Sequence, residues 1–370
     1  MTRTEVDARG RRADVARAVT LVDCDIHPVM LPAEQQRRLT TRWARHVERY
    51  GRRAPHVTDL YPRPRNKGMR ADSWPEGGVP GSDYDLLRAQ LLDEHDVDFG
   101  ILLCLNAQDS GYDPPGFAAD LNRALNDWLV EEWLDRDDRL RASICVPHDH
   151  PDLAVAEIER RAEDDRFVQV LFPAGGQEPF GAARYQPVYE AAAAHGLPVA
   201  FHTGGYTGHR GTGWPSFYLE EHTSYGVVMQ MVLTSLVCSG MFARVPSLKV
   251  VLTEGGALWA AALRWRLDEA WARLRDETPE LERPPSEYID DHVWYDTQPM
   301  EEPDDPAHFM AVVEQARMAD RLMFATDYPH WDFDSPAQAL PRGIPKGLRA
   351  KVTHATACDL YGLPRERHDS

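Results

Sequence analysis

Short apolar runs alternate with longer amphipathic stretches along most of the 370-residue chain. The apolar runs have the length of strands, and the amphipathic stretches repeat their apolar residues with the period of a helix. This alternation predicts a series of β-α units, which is typical of a parallel sheet covered by helices. The predicted strands are TLVDCDIH, VDFGILLCLNA, LRASICVP, FVQVLFP, LPVAFHT, LKVVLTEGG, HVWYDT and RLMFATDYP.

Two α/β folds fit such a series, a (β/α)8 TIM barrel and a doubly wound sheet. In a barrel, reactive side chains gather at the C-terminal ends of many different strands. The first, fifth, sixth and eighth predicted strands all end in such residues, namely Asp25, His27, His202, Glu254 and Asp327. We therefore predict a (β/α)8 barrel, with the doubly wound sheet as the alternative.

The barrel is predicted to form a single catalytic domain over residues 20–363. Residues 1–19 are interpreted as a charged N-terminal extension and residues 364–370 as a C-terminal tail. Residues 51–82 are rich in Pro, Gly and Arg and show no period, and such long insertions are usually functional or disordered. Because the insertion follows the first strand, we expect it to lie over the active-site face, among long loops at the C-terminal end of the barrel.

Charge and composition narrow the class of partner. The formal net charge of -18 and the pI of about 5.3 argue against nucleic acid and against anionic membranes. The sequence contains no apolar stretch of membrane-spanning length, and its start lacks the apolar core of a secretory signal. The five cysteines are scattered without a CxxC motif. We expect a cytoplasmic enzyme that acts on a small-molecule substrate.

The stretch DCDIHP carries the first sign of a metal site. Asp25 and His27 are two residues apart in a strand, so both side chains can face one cavity, where a carboxylate and an imidazole suit a divalent cation such as zinc. Taken alone, the pair could equally be polar residues of a turn. His202 and Asp327 also end predicted strands, and a buried carboxylate such as Asp327 is costly unless it is paired or bound to a cation. Their convergence at one barrel mouth indicates a metal site.

Several motifs in order along the chain resemble the amidohydrolase-related family, in the branch that contains aminocarboxymuconate-semialdehyde decarboxylase. The motifs are DCDIHP, FHTGG, LKVVLTEGGALW, YDTQPMEEP and MFATDYPHWDFD. The resemblance implies a (β/α)8 barrel with one divalent metal, for which we expect Zn²⁺ with Mn²⁺ as the alternative. It implies as metal ligands Asp25, His27, His202 and Asp327.

Two departures from the family pattern bear on the reaction. The fourth predicted strand lacks the lysine that bridges two metals in binuclear relatives, which favours one metal. Glu254 stands where decarboxylase relatives carry a histidine. We therefore favour a hydrolase that uses a metal-activated water on an amide, ester, lactone or activated C–C bond of an aromatic or anionic substrate. Non-oxidative decarboxylation of an aromatic or unsaturated acid is the alternative, and a barrel that binds without turnover is disfavoured.

The predicted catalytic groups are His222, Glu254 and Asp327. His222 lies between the fifth and sixth strands and could equally be a structural helix residue. Glu254 could orient or deprotonate a metal-bound water, or could instead pair with an arginine such as Arg264.

Further residues are predicted to support the ligands or to contact substrate. Asp23 shares the strand face of Asp25, and His330 follows Asp327 by three residues, so each could hydrogen-bond a ligand. An anionic or aromatic substrate would suit Arg63, Arg65, Arg70 and Trp214. The apolar stretch 220–242 suggests a homodimer or higher homo-oligomer.

Overall fold

The structure is a computed structural model, and it describes residues 16–52, 64–107, 113–205 and 217–368. Ten strands lie in these ranges. They are β1 (Ala16–Ala18), β2 (Val22–Ile26), β3 (Phe99–Leu102), β4 (Leu140–Cys145), β5 (Phe167–Gly175), β6 (Val199–Gly205), β7 (Val250–Thr253), β8 (Val293–Asp296), β9 (Leu322–Met323) and β10 (Glu366–His368).

Strands β2 to β9 form one eight-stranded sheet in chain order, and every neighbouring pair is parallel. They correspond in order to the eight strands predicted from the sequence. Backbone hydrogen bonds join the last strand to the first: Cys24 N donates to Phe324 O at 2.9 Å and His27 N to Tyr328 O at 2.8 Å. The sheet is thus a nearly closed barrel. The predicted (β/α)8 barrel is confirmed, and the doubly wound alternative is wrong.

Helices surround the barrel and fill most connections between its strands. They are α1 (Pro32–Arg38), α2 (Thr41–Tyr50), α3 (Tyr84–Leu87), α4 (Pro115–Leu129), α5 (Pro151–Arg161), α6 (Gln186–Ala194), α7 (Tyr218–Thr223), α8 (Tyr225–Cys238), α9 (Met241–Arg244), α10 (Trp259–Leu274), α11 (Pro285–His292), α12 (Pro306–Gln315), α13 (Lys346–Ala350) and α14 (Thr356–Tyr361). Among the described helices, none has both the length and the apolar character needed to cross a bilayer.

The apolar core has two parts. The larger cluster joins the outer faces of the strands to the helices that cover them. A smaller cluster takes buried residues from strands around the whole barrel and from α14, including Val22, Ile101, Ala200, Val251 and Met323. Such side chains fill the interior of a packed barrel below its C-terminal face. The polar residues at the strand ends therefore lie directly above a packed apolar core.

The described part of the insertion, from residue 64 onward, packs against loops at the C-terminal ends of β2 and β9. Met69 forms a bridge with His330, and Trp331 N donates to Gly68 O at 3.0 Å. Gly81 has a φ of +78°, and a Cβ atom there would lie 2.2 Å from the carbonyl oxygen of His27. Only glycine permits this approach without displacement of the chain.

The two ends of the described chain meet outside the barrel. β1 pairs antiparallel with β10, so that Ala18 lies opposite Glu366. Residues of the predicted N-terminal extension and of the predicted tail therefore form one small two-stranded sheet.

Candidate metal centre

The strand ends bring the four predicted metal ligands together at the C-terminal mouth of the barrel. Asp25 lies in β2, His27 follows it, His202 lies in β6, and Asp327 follows β9. All four are at most 1% exposed. Donor atoms of Asp25, His27 and His202 lie within 4.8 Å of one another, and so do those of His27, Asp327 and His330.

The ligand atoms face each other across short distances. His27 Nε2 lies 3.1 Å from Asp25 Oδ1 and 2.8 Å from Asp327 Oδ1. His202 Nε2 lies 3.7 Å from Asp25 Oδ2. The two imidazoles meet edge to face, with ring centroids 4.9 Å apart. His27 thus belongs to both groups of donor atoms and joins Asp25 and His202 to Asp327.

Backbone carbonyls set the orientation of both imidazoles. His27 Nδ1 lies 3.0 Å from Leu103 O, and His202 Nδ1 lies 2.5 Å from Thr203 O. Because a ring nitrogen that faces a carbonyl oxygen carries a proton, Nε2 is the nitrogen of each ring that is left to bind a metal. Histidines that bind metals are held in this way by a hydrogen bond on the other nitrogen.

The carboxylates are incompletely satisfied by protein groups. Both side-chain oxygens of Asp25, and Oδ2 of Asp327, are buried without a hydrogen-bond partner in the described part of the chain. Burial raises the pKa of Asp25 well above its ordinary value, and repulsion from Asp327 adds to the effect. A cation supplies the missing partner for such oxygens and reverses this repulsion. The residues present therefore fit a single divalent metal.

Asp327 combines an unusual backbone with a close partner. Its φ is +59°, and its Oδ1 forms an ion pair with His330 Nδ1. Burial raises the pKa of Asp327, but the charge of His330 and the hydrogen bonds from His27 and His330 outweigh it and hold the pKa below its usual range. Burial lowers the pKa of His330, but Asp327 more than compensates, and the result is about 9. His330 thus contacts a predicted ligand directly.

Glu254 reaches the same cluster from the end of β7. In the barrel register His202 lies opposite Thr253, and Glu254 comes next, with a φ of +57°. Its Oε2 lies 2.9 Å from His202 Nε2 and accepts the hydroxyl proton of Thr203. Burial raises the pKa of Glu254, but the charge and hydrogen bond of His202 lower it by more, so the net shift is downward. Arg264 pairs instead with Asp290, so the predicted alternative of a Glu254–Arg264 pair is wrong.

Sequence reasoning missed Asp296, the last residue of β8. It is 1% exposed, its Oδ1 accepts from Glu254 N at 3.3 Å, and its Oδ2 is buried with no hydrogen-bond partner among the described residues. Burial, and then the charges of Glu254 and Asp327, raise its pKa well above normal. The signal was present, because this aspartate ends the predicted strand HVWYDT, but one strand-end carboxylate without a second spaced ligand is a weak pattern.

Asp23 connects the first strand to the last. Its Oδ2 accepts the hydroxyl of Thr326 at 2.6 Å, and its Oδ1 accepts Thr326 N at 2.9 Å and Asp25 N at 3.3 Å. Burial raises its pKa to about 7, although these hydrogen bonds oppose the shift. Asp25 is itself a predicted ligand, and Thr326 directly precedes the predicted ligand Asp327. Asp23 therefore fixes the backbone from which Asp25 and Asp327 project.

Comparison with known proteins identifies the family. The family model described as amidohydrolase matches residues 22–363. The chain belongs to the amidohydrolase family. The resemblance predicted from the motifs is therefore confirmed, and the chain is an enzyme of the amidohydrolase superfamily.

Relatives of this amidohydrolase include decarboxylases. A γ-resorcylate decarboxylase from Polaromonas sp. is 26% identical over 317 residues, which cover 79% of this chain and 91% of the relative. A crystal structure of 2,6-dihydroxybenzoate decarboxylase from Rhizobium has a TM-score of 0.66 at 20% identity, over 93% of this chain and 98% of that one. A dihydroxybenzoic acid decarboxylase from Polaromonas sp., solved with manganese and the inhibitor 2-nitroresorcinol, has a TM-score of 0.65 at 21% identity, over 93% of this chain and 97% of that one.

His222 lies at the rim of the amidohydrolase site. Its Nε2 donates to Asp332 Oδ2 at 2.8 Å rather than to any of the four predicted ligands. Its ring lies between Tyr225 and Trp331, with centroid distances of 5.2 and 5.7 Å. Burial lowers the pKa of His222, but the hydrogen bond and charge of Asp332 raise it more. The structure therefore places His222 in a rim pair with Asp332.

The predicted substrate-binding residues lie in different surroundings. The guanidinium of Arg70 forms two hydrogen bonds with Asp72, at 3.0 and 2.9 Å, and lies 4.3 Å from the ring centre of Phe333. Arg65 is exposed and lines a cavity of about 400 Å³ beside Tyr218 and Trp331. Arg63 and Trp214 lie outside the described residues.

Proposed function

We propose that this amidohydrolase catalyses the non-oxidative decarboxylation of an aromatic carboxylic acid, with one divalent metal. The hydrolase that the sequence favoured becomes the second candidate. The similarity to γ-resorcylate decarboxylase extends over 79% of the chain and 91% of the relative, which supports decarboxylation. The structural observation that supports the metal is the set of buried, unpartnered oxygens of Asp25 and Asp327 beside Nε2 of His27.

The residues that would hold the metal are Asp25, His27, His202 and Asp327. Two carboxylates and two imidazoles accept zinc as well as manganese. The manganese of the Polaromonas enzyme supports Mn²⁺ beside the expected Zn²⁺. When bound, a divalent cation supplies positive charge that orients the oxygen atoms of the substrate and offsets negative charge that develops during reaction.

Decarboxylation requires one proton at the ring carbon. The bond between that carbon and the carboxylate breaks, carbon dioxide leaves, and the electron pair that stays on the ring takes up the proton. We propose that Asp327 and His330 provide the proton route, because His330 contacts Asp327 directly and its side chain is 16% exposed, which links the buried cluster to the rim. Glu254 is the second candidate, since its Oε2 lies 2.9 Å from His202 Nε2.

One observation keeps hydrolysis as a second candidate function. Glu254 brings a third carboxylate to the cluster, 2.9 Å from His202 Nε2, and a carboxylate beside the predicted ligands can accept a proton from an attacking water. Asp296, whose Oδ1 accepts from Glu254 N, adds a further buried acceptor at this side of the site. The two functions differ in the bond broken, and product analysis separates them.

The test is a substrate screen with product analysis. Enzyme loaded with Mn²⁺ or Zn²⁺ is incubated in D₂O with hydroxybenzoic acids, and in parallel with arylamides, aryl esters and lactones. We expect carbon dioxide and a phenol in equal amounts, with one deuterium at the carbon that carried the carboxylate. Loss of this activity in Asp327→Asn, but not in the surface variant Asp320→Asn, would link it to the site. Release of amine or alcohol without carbon dioxide would overturn decarboxylation in favour of hydrolysis.

We also propose that copies of the chain associate into a homodimer or higher oligomer. Large apolar side chains are exposed on α7, α8 and α10, and Leu219, Val227, Met231 and Trp265 are 79%, 49%, 53% and 56% exposed. Burying such side chains against a second copy is favourable. The proposed partner for the active site is a small-molecule substrate, and a cytoplasmic location stays a prediction.

A further inference from the structure

Gln298 follows β8 on the active-site side of the barrel, two residues after Asp296, and is 1% exposed. Its amide nitrogen donates two hydrogen bonds to Asp332, to the main-chain oxygen at 3.1 Å and to Oδ2 at 2.8 Å. A main-chain carbonyl can only accept, and so can an ionised carboxylate. The two contacts therefore fix the orientation of the amide, with its NH₂ towards Asp332 and its Oε1 away from it.

The Oε1 atom of Gln298 is left without a donor. It is buried, and it has no hydrogen-bond partner within the described ranges. Turning the amide over would not help, because its oxygen would then face the two acceptor atoms of Asp332. A buried acceptor without a partner is destabilising, so its presence needs an explanation.

A second buried glutamine shows the ordinary structural arrangement. Gln169 in β5 is 0% exposed, its Nε2 donates to Ser143 Oγ at 2.9 Å, and its Oε1 accepts from Tyr361 OH at 2.8 Å. Both ends of that amide are satisfied by protein groups. In Gln298, by contrast, the amide nitrogen has hydrogen-bond partners but the amide oxygen has none among the described residues.

The partner that holds Gln298 is itself part of the rim. Asp332 Oδ2 also accepts from His222 Nε2 at 2.8 Å, so one carboxylate oxygen positions both an imidazole and an amide. Asp332 lies two residues after His330, the contact of Asp327. Two residues before Gln298 in the chain, Asp296 accepts from the backbone of Glu254. Gln298 is thus joined by its side chain to the rim pair and through the main chain to Asp296, which contacts Glu254 of the cluster.

We propose that Gln298 is a specificity-determining residue, and that its Oε1 accepts a hydrogen bond from an O–H or N–H group on the substrate. The preferred substrates are then aromatic acids that carry a donor on the ring, such as a phenolic hydroxyl. This inference rests on the proposed function for the class of acid, but the acceptor itself follows from the contacts of Gln298. Asp332 is a positioning residue, which acts by fixing the amide.

Binding of unreactive analogues tests the proposal without requiring turnover. Nitrobenzenes with a hydroxyl group at each ring position, and their methyl ethers, are titrated by calorimetry into metal-loaded enzyme. A methyl ether keeps the oxygen but lacks the donor, so at one position we expect on the order of tenfold weaker binding of the ether. A bound metal can also favour the hydroxyl over the ether, but it does so equally in every variant. The difference in preference between wild type and variant therefore isolates the contribution of the Gln298 amide.

In Gln298→Met the hydroxyl-to-ether preference should fall by about tenfold at that position, with little change in affinity for the ether. The control Gln169→Met should keep the full preference, because it removes a buried glutamine whose two ends are both satisfied. Gln298→Leu, a second apolar replacement, should reduce the preference in the same way. This variant gives the answer if Gln298→Met does not fold.

A wild-type preference that persists in Gln298→Met, or in Gln298→Leu if the first variant does not fold, would overturn the proposal. So would the absence of any preference, or of any binding, in the wild type. The outcome is separable from that of the proposed function. If no acid loses carbon dioxide but the preference depends on Gln298, only decarboxylation fails. If acids are decarboxylated and the preference is unchanged in Gln298→Met, only the role of Gln298 fails.

Discussion

The hydrogen bonds between Asp23 and Thr326 offer a sharp test of how the barrel supports its metal site. Replacing Thr326 by valine keeps the shape of the side chain and removes its hydroxyl. Asp23 Oδ2 then loses the donor at 2.6 Å, and Tyr328 N loses an acceptor at 3.2 Å. The matched control is Thr326→Ser, which keeps the hydroxyl and removes only a methyl group.

The magnitude follows from the groups left unpaired. A buried polar group that loses its partner costs about 1–3 kcal/mol, and more if it is charged. With two groups affected, we expect the free energy of unfolding to fall by about 2–6 kcal/mol in Thr326→Val. At about 2.1 cal/mol/K per residue, the unfolding entropy of 370 residues corresponds to about 0.8 kcal/mol per degree. The melting temperature should therefore drop by about 3–8 °C.

Metal affinity should fall as well, because Asp23 also accepts from the backbone of Asp25. Loss of such a supporting contact typically weakens metal binding by about 10–100-fold. Denaturant unfolding of metal-free enzyme and metal titration by calorimetry measure the two effects separately. If Thr326→Val matches Thr326→Ser in both stability and metal affinity, then Asp23 does not support the site in the way described.

Three further predictions concern the loops and surface. Gly81→Ala should lower the unfolding free energy by at least about 1–2 kcal/mol more than Gly77→Ala in denaturant titration. Both residues have positive φ, but only at Gly81 would a Cβ lie against a backbone oxygen. Equal losses would show that the close approach is unimportant. The pKa of His222 is raised in the folded state by Asp332, so its contribution to stability should be complete below the unfolded pKa near 6.5 and be lost as pH rises through the folded pKa. Asp332→Asn should flatten this part of the stability–pH curve, whereas an unchanged slope would refute the pairing. Met231→Glu should shift the enzyme towards monomer in light scattering, and an unchanged mass would exclude this surface as the interface.

Much of the fold could be predicted because each barrel strand is a short apolar run of its own. The convergence of the strand-end residues could be predicted for the same reason, since the last residues of parallel barrel strands meet at one face whatever their separation in sequence. His27 and Asp327 are 300 residues apart and yet lie 2.8 Å apart through this rule alone.

The contacts of the rim could not be predicted in this way. His222 and Asp332 lie on loops and short helices, where no period relates position in the sequence to position in space. Asp296 ends a strand, but nothing in its neighbourhood distinguishes it from an ordinary strand-terminal aspartate. The β-bridge between Met69 and His330 depends on the path of a long insertion, which local sequence does not determine.

The reaction class was also beyond the sequence pattern. Glu254 in place of a histidine favoured hydrolysis, because a carboxylate beside a metal site can act on water. The structure places Glu254 against His202, where its role is compatible with either reaction. A single changed residue beside the predicted ligands therefore does not separate the two chemistries.

The metal content of purified enzyme tests the central claim most directly. Elemental analysis should find about one divalent metal per chain in the wild type and in His195→Ala, whose imidazole pairs with Glu159 away from the site. His202→Ala and Asp327→Asn should each lose most of that metal. Two metals per chain, or a wild-type metal content in both His202→Ala and Asp327→Asn, would contradict a single metal centre built from these strand ends.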